Sequence, residues 1–146
     1  MSENYYKTLF NMSGKTAVVS GGVGILGKVF CEALAEHGAN IAIVDINAKD
    51  VGCFAARLAK KYGIRCSGIQ CDITLPSSVA EMVDVVCEEH GKIDILVNNA
   101  AWKSDDLESY FAPYEDYDYD QWRKIMAVNV EGMFLLSQKI GSCMIK

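Results

Sequence analysis

The chain has 146 residues, of which 51% are hydrophobic and 23% charged, and its formal net charge is −5. This length and composition predict one globular domain and exclude a disordered, collagenous or repetitive chain. The acidic balance argues against a nucleic-acid partner, because such proteins present clustered lysine and arginine to phosphates. No apolar run approaches the roughly 18 residues of a membrane span, and residues 1–7 lack the features of a signal peptide. We therefore expect a soluble, cytoplasmic protein with no membrane partner.

Short apolar runs alternate with helical patterns along the chain. The apolar runs predict four strands, at residues 16–20, 41–45, 66–72 and 93–98. The stretches between them predict helices at residues 24–37, 48–62 and 77–90. A glycine that can adopt the left-handed capping conformation follows each helix: Gly38, Gly63 and Gly91. Alternating strands and helices form parallel sheets with right-handed crossovers, so we predict an α/β fold with a doubly wound parallel sheet.

The negative charge is concentrated in residues 105–120, which contain seven Asp or Glu residues and no Lys or Arg. The same segment is rich in aromatic residues: Tyr110, Phe111, Tyr114, Tyr117 and Tyr119. Such a connection is either an ordinary solvated loop or a lid over a substrate site, and both interpretations stay open. From residue 120 a helical pattern continues along the rest of the sequence, with Asp118 or Asp120 as its cap.

The cysteines and histidines do not form a metal-binding pattern. Six cysteines occur without a C-x-x-C pair, and neither His37 nor His90 lies near a cysteine pair. We expect no metal, and we expect most cysteines to be small buried hydrophobic residues. Each histidine precedes a capping glycine, where a partial positive charge suits the end of a helix.

A glycine-rich turn between the first strand and the first helix is the strongest chemical signal. Gly22, Gly24 and Gly27 match the pattern G-x-G-x-x-G. Glycine permits the tight turn and lets backbone N–H groups approach a pyrophosphate at the helix N-terminus. Asp45 ends the second predicted strand, 21 residues after Gly24, at the place where an acidic residue holds the adenosine ribose. Together these features predict a dinucleotide cofactor.

Asp45 also favours NAD over NADP. Its carboxylate can accept hydrogen bonds from both ribose hydroxyls but would repel a 2′-phosphate, and the first basic residue after it is Lys49. A competing P-loop interpretation of Gly14-Lys15-Thr16 fails, because Leu9 stands where that motif needs glycine. The motif also precedes the strand that it should follow.

These motifs, in this order, resemble those of the short-chain dehydrogenases/reductases, over essentially the whole chain from residue 9. Besides the glycine turn, the resemblance rests on three motifs: Cys71-Asp72-Ile73-Thr74, Asn98-Asn99-Ala100-Ala101 and Val128-Asn129-Val130-x-Gly132-x-Phe134. Two positions depart from the family pattern. Ile25 stands where the classical glycine pattern has glycine, and Ala101 replaces the last glycine of the Asn-Asn-Ala-Gly motif.

The resemblance implies a Rossmann-type NAD site. In it, Asp72 would meet the adenine amino group, the segment from Asn98 would line the nicotinamide side, and the catalytic residue Asn129 would help to order a proton-relay water. The implied cofactor contacts come from twelve residues: Gly21, Gly22, Gly24, Ile25, Leu26, Gly27, Asp45, Ile46, Asp72, Ile73, Asn98 and Ala100. The implied reaction interconverts an alcohol and a carbonyl in a small-molecule substrate. The opening segment Leu9-Phe10-x-x-x-Gly14-Lys15 resembles members that act on sugar acids or polyols, and we expect the full-length form to be a homo-oligomer.

Family members also carry a serine after a fifth strand and a Tyr-x-x-x-Lys pair, in which the tyrosine transfers the proton. None of the seven tyrosines here has a lysine four positions on. The nearest pattern, Tyr119-x-x-x-Arg123, lies between two aspartates, which disfavour a phenolate. We therefore expect residues 1–146 to be a dinucleotide-binding Rossmann domain that lacks the fifth strand and is inactive alone. A non-catalytic dinucleotide-binding module and a fragment without independent function remain as alternatives.

Overall fold

The structure, a computed structural model, describes residues 9–145. Residues 1–8, which include the segment without a predicted signal peptide, and Lys146 lie outside the described residues. The sheet has four strands: β1 (Thr16–Ser20), β2 (Asn40–Asp45), β3 (Cys66–Gln70) and β4 (Ile95–Val97). All neighbouring strands are parallel, and their order is β3-β2-β1-β4. The predicted doubly wound α/β fold is confirmed, although β3 and β4 are shorter than predicted.

Helices cover both faces of this sheet. Three of them connect the strands: α1 (Ile25–Glu36), α2 (Ala48–Tyr62) and α3 (Pro76–His90). The later part of the chain contains α4 (Leu107–Tyr110), a 3₁₀-helix (Tyr114–Asp116), α5 (Tyr119–Met126), a π-helical segment (Ala127–Gly132) and α6 (Met133–Met144). The glycines that follow the first three helices have φ angles of +90°, +68° and +82°, so the predicted left-handed caps are confirmed.

β1 is buried along its whole length because helices pack on both faces of the sheet. The side chains of Ala17 and Val19 pack with α1 and α2, whereas Val18, on the opposite face, packs with α3 and α6. Leu58 of α2 and Leu136 of α6 are fully buried in these two layers. Burial of a side chain of this size contributes about 1.5–3 kcal/mol to folding. This double burial explains why β1 is a continuous apolar run in the sequence.

Asp94 joins the beginning of β1 to the segment before β4. Its carboxylate accepts hydrogen bonds from the Thr16 backbone N–H at 2.9 Å and from the ammonium groups of Lys15 and Lys92, each at 3.0 Å. Burial acts to raise the pKa of Asp94, but these hydrogen bonds outweigh it and hold the pKa at about 2. Asp94 is therefore ionised in the folded protein at neutral pH and fixes the register between β1 and β4.

His90 differs from its prediction as a partly charged residue at a helix end. It is buried against β3, where its Nε2 lies 2.7 Å from Ser67 Oγ, and within residues 9–145 its Nδ1 has no hydrogen-bond partner. Burial lowers the pKa of His90, so the neutral imidazole is favoured in this position. The expected positive charge is wrong for His90 because the side chain faces the sheet instead of the solvent.

The six cysteines are not equally buried. Cys31 and Cys71 are buried, Cys53 is exposed and the other three are half-buried, so the prediction that most cysteines are buried is wrong. Burial raises the pKa of both Cys31 and Cys66 to about 12, which keeps these thiols protonated and unreactive. Within residues 9–145, no His, Cys, Asp or Glu side chains are grouped so as to hold a metal ion. No helix in the same part of the chain is long and apolar enough to cross a membrane.

Candidate functional site

The strand order defines a crevice at the carboxyl ends of β1 and β4. From β1 the chain adds β2 and β3 on one side, and it then crosses back to place β4 on the other side of β1. Connections that leave in opposite directions from neighbouring strands open a crevice between them, where ligands bind in folds of this class. The glycine turn follows β1 and the Asn98–Ala101 segment follows β4, so both segments border this crevice.

The glycine turn packs too closely for side chains at its first two glycines. Gly21 has a φ angle of +61°, and a Cβ atom there would lie 2.8 Å from the Ala100 Cα atom. A Cβ atom at Gly22 would lie 2.7 Å from the side chain of Ile43. Gly24 differs, because it is exposed and a Cβ atom would approach only the carbonyl oxygen of Gly21, at 3.1 Å. The space above Gly24 is therefore open to a ligand.

The N-terminus of α1 lies directly behind this open space. Gly24 is its N-cap and supplies no capping side chain, so the first N–H groups of the helix lack the partner that such a residue would provide. Ile25, which is 90% exposed, and Leu26 follow in the first turn, while Gly27 is buried. Free N–H groups and the positive end of the helix dipole favour an anion at this position.

Asp45 places a carboxylate beside the glycine turn. Its Oδ2 accepts a hydrogen bond from the Val23 N–H at 3.2 Å, and its Oδ1 accepts one from the Asn47 N–H at 3.1 Å. The carboxylate is thereby held at the end of β2, with the exposed Ile46 next to it. Each carboxylate oxygen has a further lone pair with which it can accept a hydrogen bond from a ligand hydroxyl.

Ser20 and Asn99 hold the glycine turn against the end of β4. Ser20 Oγ accepts hydrogen bonds from the N–H groups of Asn99 and Ala100, both at 3.1 Å. Asn99 Nδ2 donates to the carbonyl oxygens of Ser20 and Gly21, both at 3.0 Å. These bonds fix the relative position of the two segments that border the crevice.

Asp72 and Ile73 follow β3 at the same edge of the sheet. Asp72 Oδ1 accepts hydrogen bonds from the backbone N–H of Thr74 at 2.9 Å and from its hydroxyl at 2.7 Å, which form a local turn. Ile73 is only 7% exposed, and its side chain packs so closely on Gly132 that a Cβ atom there would lie 2.7 Å away. The structure places the Ile73 side chain in the core, so this residue can offer a ligand only its main chain.

Asn129 holds the loop that follows the Asn98–Ala101 segment. Its Oδ1 accepts a hydrogen bond from the Trp102 N–H at 2.7 Å, and its Nδ2 donates to the Trp102 carbonyl oxygen at 3.2 Å. Asn129 lies in the π-helical segment, where the sequence pattern predicts an uninterrupted α-helix. The observed role of Asn129 is to clamp a backbone peptide, and its part in ordering a water remains a prediction.

The acidic segment is more ordered than a plain loop. Asp106 caps α4 by accepting hydrogen bonds from the N–H groups of Glu108 and Ser109 at 3.1 and 3.2 Å. Asp118 caps α5 by accepting a hydrogen bond from the Gln121 N–H at 2.7 Å, which confirms one of the two predicted caps. Tyr119 stacks on Trp122, with ring centroids 6.1 Å apart, in agreement with its interpretation as a packing residue at the start of the helix.

Comparison with known proteins identifies the family. Residues 15–146 match the family described as short chain dehydrogenase. The chain belongs to this family. It is 36% identical over 137 residues to a D-threitol dehydrogenase of Mycolicibacterium smegmatis, covering 94% of this chain and 50% of that protein. It is 32% identical over 134 residues to a sorbitol dehydrogenase of Cereibacter sphaeroides, covering 92% of this chain and 48% of that protein.

Two solved structures of the same family have a similar fold. NAD+-bound xylitol dehydrogenase superposes with a TM-score of 0.83 at 33% identity, covering 92% of this chain and 49% of that one. NADPH-dependent 3-quinuclidinone reductase from Rhodotorula rubra superposes with a TM-score of 0.85 at 26% identity, covering 98% and 52%. The chain thus spans about half the length of these relatives.

The short-chain dehydrogenase fold brings most of the predicted site residues to one edge of the sheet. Four of them follow the carboxyl ends of strands: the glycine turn, Asp45, Asp72 and the Asn98–Ala101 segment. Asn129 reaches the same edge through its hydrogen bond with Trp102. Sequence patterns predict a site role for the segment that contains Asn99, but none for Ser20 or Ser137, whose bonds reach across the fold. Nothing in the local pattern marks Ser137, which receives a hydrogen bond from Asn98 at 3.0 Å.

Proposed function

We propose that this chain is the dinucleotide-binding part of an NAD-dependent oxidoreductase that interconverts an alcohol and a carbonyl in a polyol or a sugar acid. The observation that carries the proposal is the Asp45 carboxylate, which lies within 3.2 Å of the glycine-turn backbone at Val23. An acidic group beside a glycine turn suits the two hydroxyls of an adenosine ribose.

The surroundings of Asp45 support NAD as the cofactor. Within residues 9–145, Asp45 takes part in none of the salt bridges, so its negative charge is not neutralised by a paired cation. A 2′-phosphate beside this carboxylate would be repelled by it, because like charges that lie close together repel. The two similar structures include one with NAD+ and one that is NADPH-dependent, so the choice of cofactor rests on Asp45.

The relatives support a polyol as the substrate class. Their names include D-threitol, sorbitol and xylitol dehydrogenases, all of which denote enzymes of small polyols. Bound NAD would supply the hydride acceptor. The residues of this chain would bind its pyrophosphate at the N-terminus of α1 and hold its adenosine ribose at Asp45. A dinucleotide-binding module without catalysis is the second candidate, because the glycine turn and Asp45 account for binding of a dinucleotide but not for a reaction on a substrate.

Calorimetric titration with NAD and NADP tests the assignment of Asp45. We expect the unmodified chain to bind NAD more tightly than NADP, and Asp45→Ala to lose about tenfold or more in NAD affinity together with this preference. Asp50→Ala is the matched control, because Asp50 also carries an exposed carboxylate, which accepts a hydrogen bond from the Asn47 side-chain amide at 2.7 Å. An unchanged NAD preference in Asp45→Ala would refute the assignment.

A further inference from the structure

A hydrogen bond joins the end of β4 to α6 at the open edge of the site. Asn98, the first residue after β4, donates from Nδ2 to Ser137 Oγ at 3.0 Å across 39 positions of the chain. Both side chains are exposed, so the bond does not serve the core. It is also separate from the bonds of Ser20 and Asn99, which already hold β4 against the glycine turn.

Ser137 has a rigid support. It follows Leu136, which is fully buried, and Ile140 anchors the next turn of the same helix in the core. The backbone of α6 is therefore fixed at this point, and the hydroxyl of Ser137 is available at a defined position. A rigidly supported partner reduces the rotamers that an exposed asparagine can sample.

The hydrogen bond to Ser137 restricts the orientation of the whole Asn98 side-chain amide. An asparagine amide is planar, so anchoring Nδ2 also sets the plane in which the carbonyl oxygen Oδ1 lies. In the described part of the chain, no other hydrogen bond involves the Asn98 side chain, so Oδ1 is left as an acceptor. It belongs to the segment that lies against the glycine turn, since Ala100 is the residue a Cβ atom at Gly21 would touch.

The order of the strands indicates which half of a dinucleotide would meet this acceptor. Asp45 lies at the end of β2, on one side of β1, and the helix N-terminus behind Gly24 lies between. A dinucleotide whose adenosine ribose is at Asp45 and whose pyrophosphate is at α1 extends towards β4, on the other side. Asn98 would then face the second ribose.

We infer that Ser137 is a positioning residue, which orients Asn98 so that its Oδ1 accepts a hydrogen bond from a hydroxyl of the ribose in the nicotinamide half. This inference rests on the proposed dinucleotide function. It assigns a role to α6, an element that otherwise only covers the sheet. Ser137 itself needs no contact with the cofactor.

Titrations with ADP, ADP-ribose and NADH test the inference, because ADP lacks the second ribose whereas ADP-ribose contains it. We expect Ser137→Ala to weaken binding of ADP-ribose and NADH about three- to tenfold, the effect of one hydrogen bond, and to leave ADP binding unchanged. Ser137→Thr keeps the hydroxyl and should restore the affinity. Ser142→Ala is the control on the same helix, because the Ser142 hydroxyl donates to the Gln138 carbonyl oxygen of its own helix, at 2.8 Å.

A double-mutant cycle separates positioning from a general effect on the helix. Asn98→Ala should weaken ADP-ribose to a similar extent, and adding Ser137→Ala to it should cause no further loss. Equal losses for ADP and ADP-ribose, or additive effects of the two substitutions, would overturn the inference. If the unmodified chain binds ADP but Ser137→Ala binds ADP-ribose normally, only this inference fails. If the unmodified chain binds neither ligand, the proposed function is wrong, and the inference that rests on it is wrong as well.

Discussion

Gly27 of α1 lies directly against Gly21: a Cβ atom at Gly27 would come within 2.0 Å of the Gly21 carbonyl oxygen. No side chain can be accommodated there without moving the backbone of the turn. A Cβ atom at Gly24 would lie 3.1 Å from the same oxygen, a close contact that a small shift can relieve. The G-x-G-x-x-G pattern therefore contains glycines of two kinds, one required by packing and one that keeps a surface open.

Substitution at these two positions should separate folding from binding. We expect Gly27→Ala to destabilise the fold by about 3 kcal/mol or more, since the clash involves backbone on both sides. Gly24→Val should leave the fold largely intact but lower NAD affinity at least tenfold by blocking the approach of the pyrophosphate. Circular dichroism during thermal unfolding measures the first effect and calorimetric titration the second. Normal NAD affinity in Gly24→Val would mean that this glycine serves only the turn.

A second pair of glycines lies where α2 packs on β3. A Cβ atom at Gly68 would lie 2.4 Å from the carbonyl carbon and oxygen of Val51, whereas one at Gly52 would meet nothing within 4 Å. We expect Gly68→Ala to destabilise by about 3 kcal/mol, because the helix would have to move away from the strand. Gly52→Ala should stabilise by roughly 0.5–1 kcal/mol, because alanine favours a helix. Urea unfolding of the two variants provides the comparison, and equal stabilities would contradict this packing.

The sequence predicted the order of elements because local signals mark most of their boundaries. The bounds of β1 and α2 agree with the prediction, since a capping glycine ends the helix and β1 is apolar throughout. β3 and β4 are shorter than predicted because Asp72, after β3, and Asp94, before β4, form polar bonds outside the sheet. Asp72 forms a turn with Thr74, and Asp94 bonds to the first residue of β1 and to two lysines. A strand-like run cannot reveal such competing polar bonds.

Features that depend on distant contacts could not be predicted from local patterns. The glycine turn and Asp45 follow strands directly, so their position at the sheet edge is predictable from alternation alone. The bond between Asn98 and Ser137 spans 39 positions and requires the packing of α6 to exist. The burial of His90 likewise depends on β3 facing the end of α3, which a capping pattern does not indicate.

The buried His90 should make stability depend on pH in the mildly acidic range. Burial lowers its pKa below the ordinary value of 6.5; the nearby Glu89 opposes this effect and Arg65 adds to it. The unfolded chain takes up a proton below about pH 6.5 more readily than the folded one. The stabilisation is therefore complete above that pH and is lost as the pH falls towards the folded-state pKa. Urea unfolding at pH 7.5 and 5.5 should show this loss.

His90→Gln and His37→Gln separate this effect from general acid destabilisation. The first variant removes the buried imidazole, so the difference in the free energy of unfolding between pH 7.5 and 5.5 should shrink. The second removes the exposed histidine at the end of α1 and should leave the difference as in the unmodified chain. If both variants keep the full difference, another group is responsible.

The last prediction concerns the behaviour of residues 1–146 expressed alone. We expect no measurable NAD reduction with a panel of polyols and sugar acids, because general acid–base catalysis contributes about 10²–10⁴-fold and no Tyr-x-x-x-Lys pair is present. We also expect self-association. In the described part of the chain β4 pairs only with β1, and its other edge is open.

Self-association should also depend on the exposed apolar side chains of α5 and α6. Trp122 and Met133 are exposed on these helices, and Phe134 is 60% exposed. Large exposed apolar side chains favour association. Phe134→Glu should therefore lower the mass measured by light scattering. Phe111→Glu, at a 76% exposed phenylalanine of the acidic segment, is the control and should leave the mass unchanged. A monomeric chain that reduces NAD at ordinary enzyme rates would contradict both the placement of the catalytic residues and the open edge at β4.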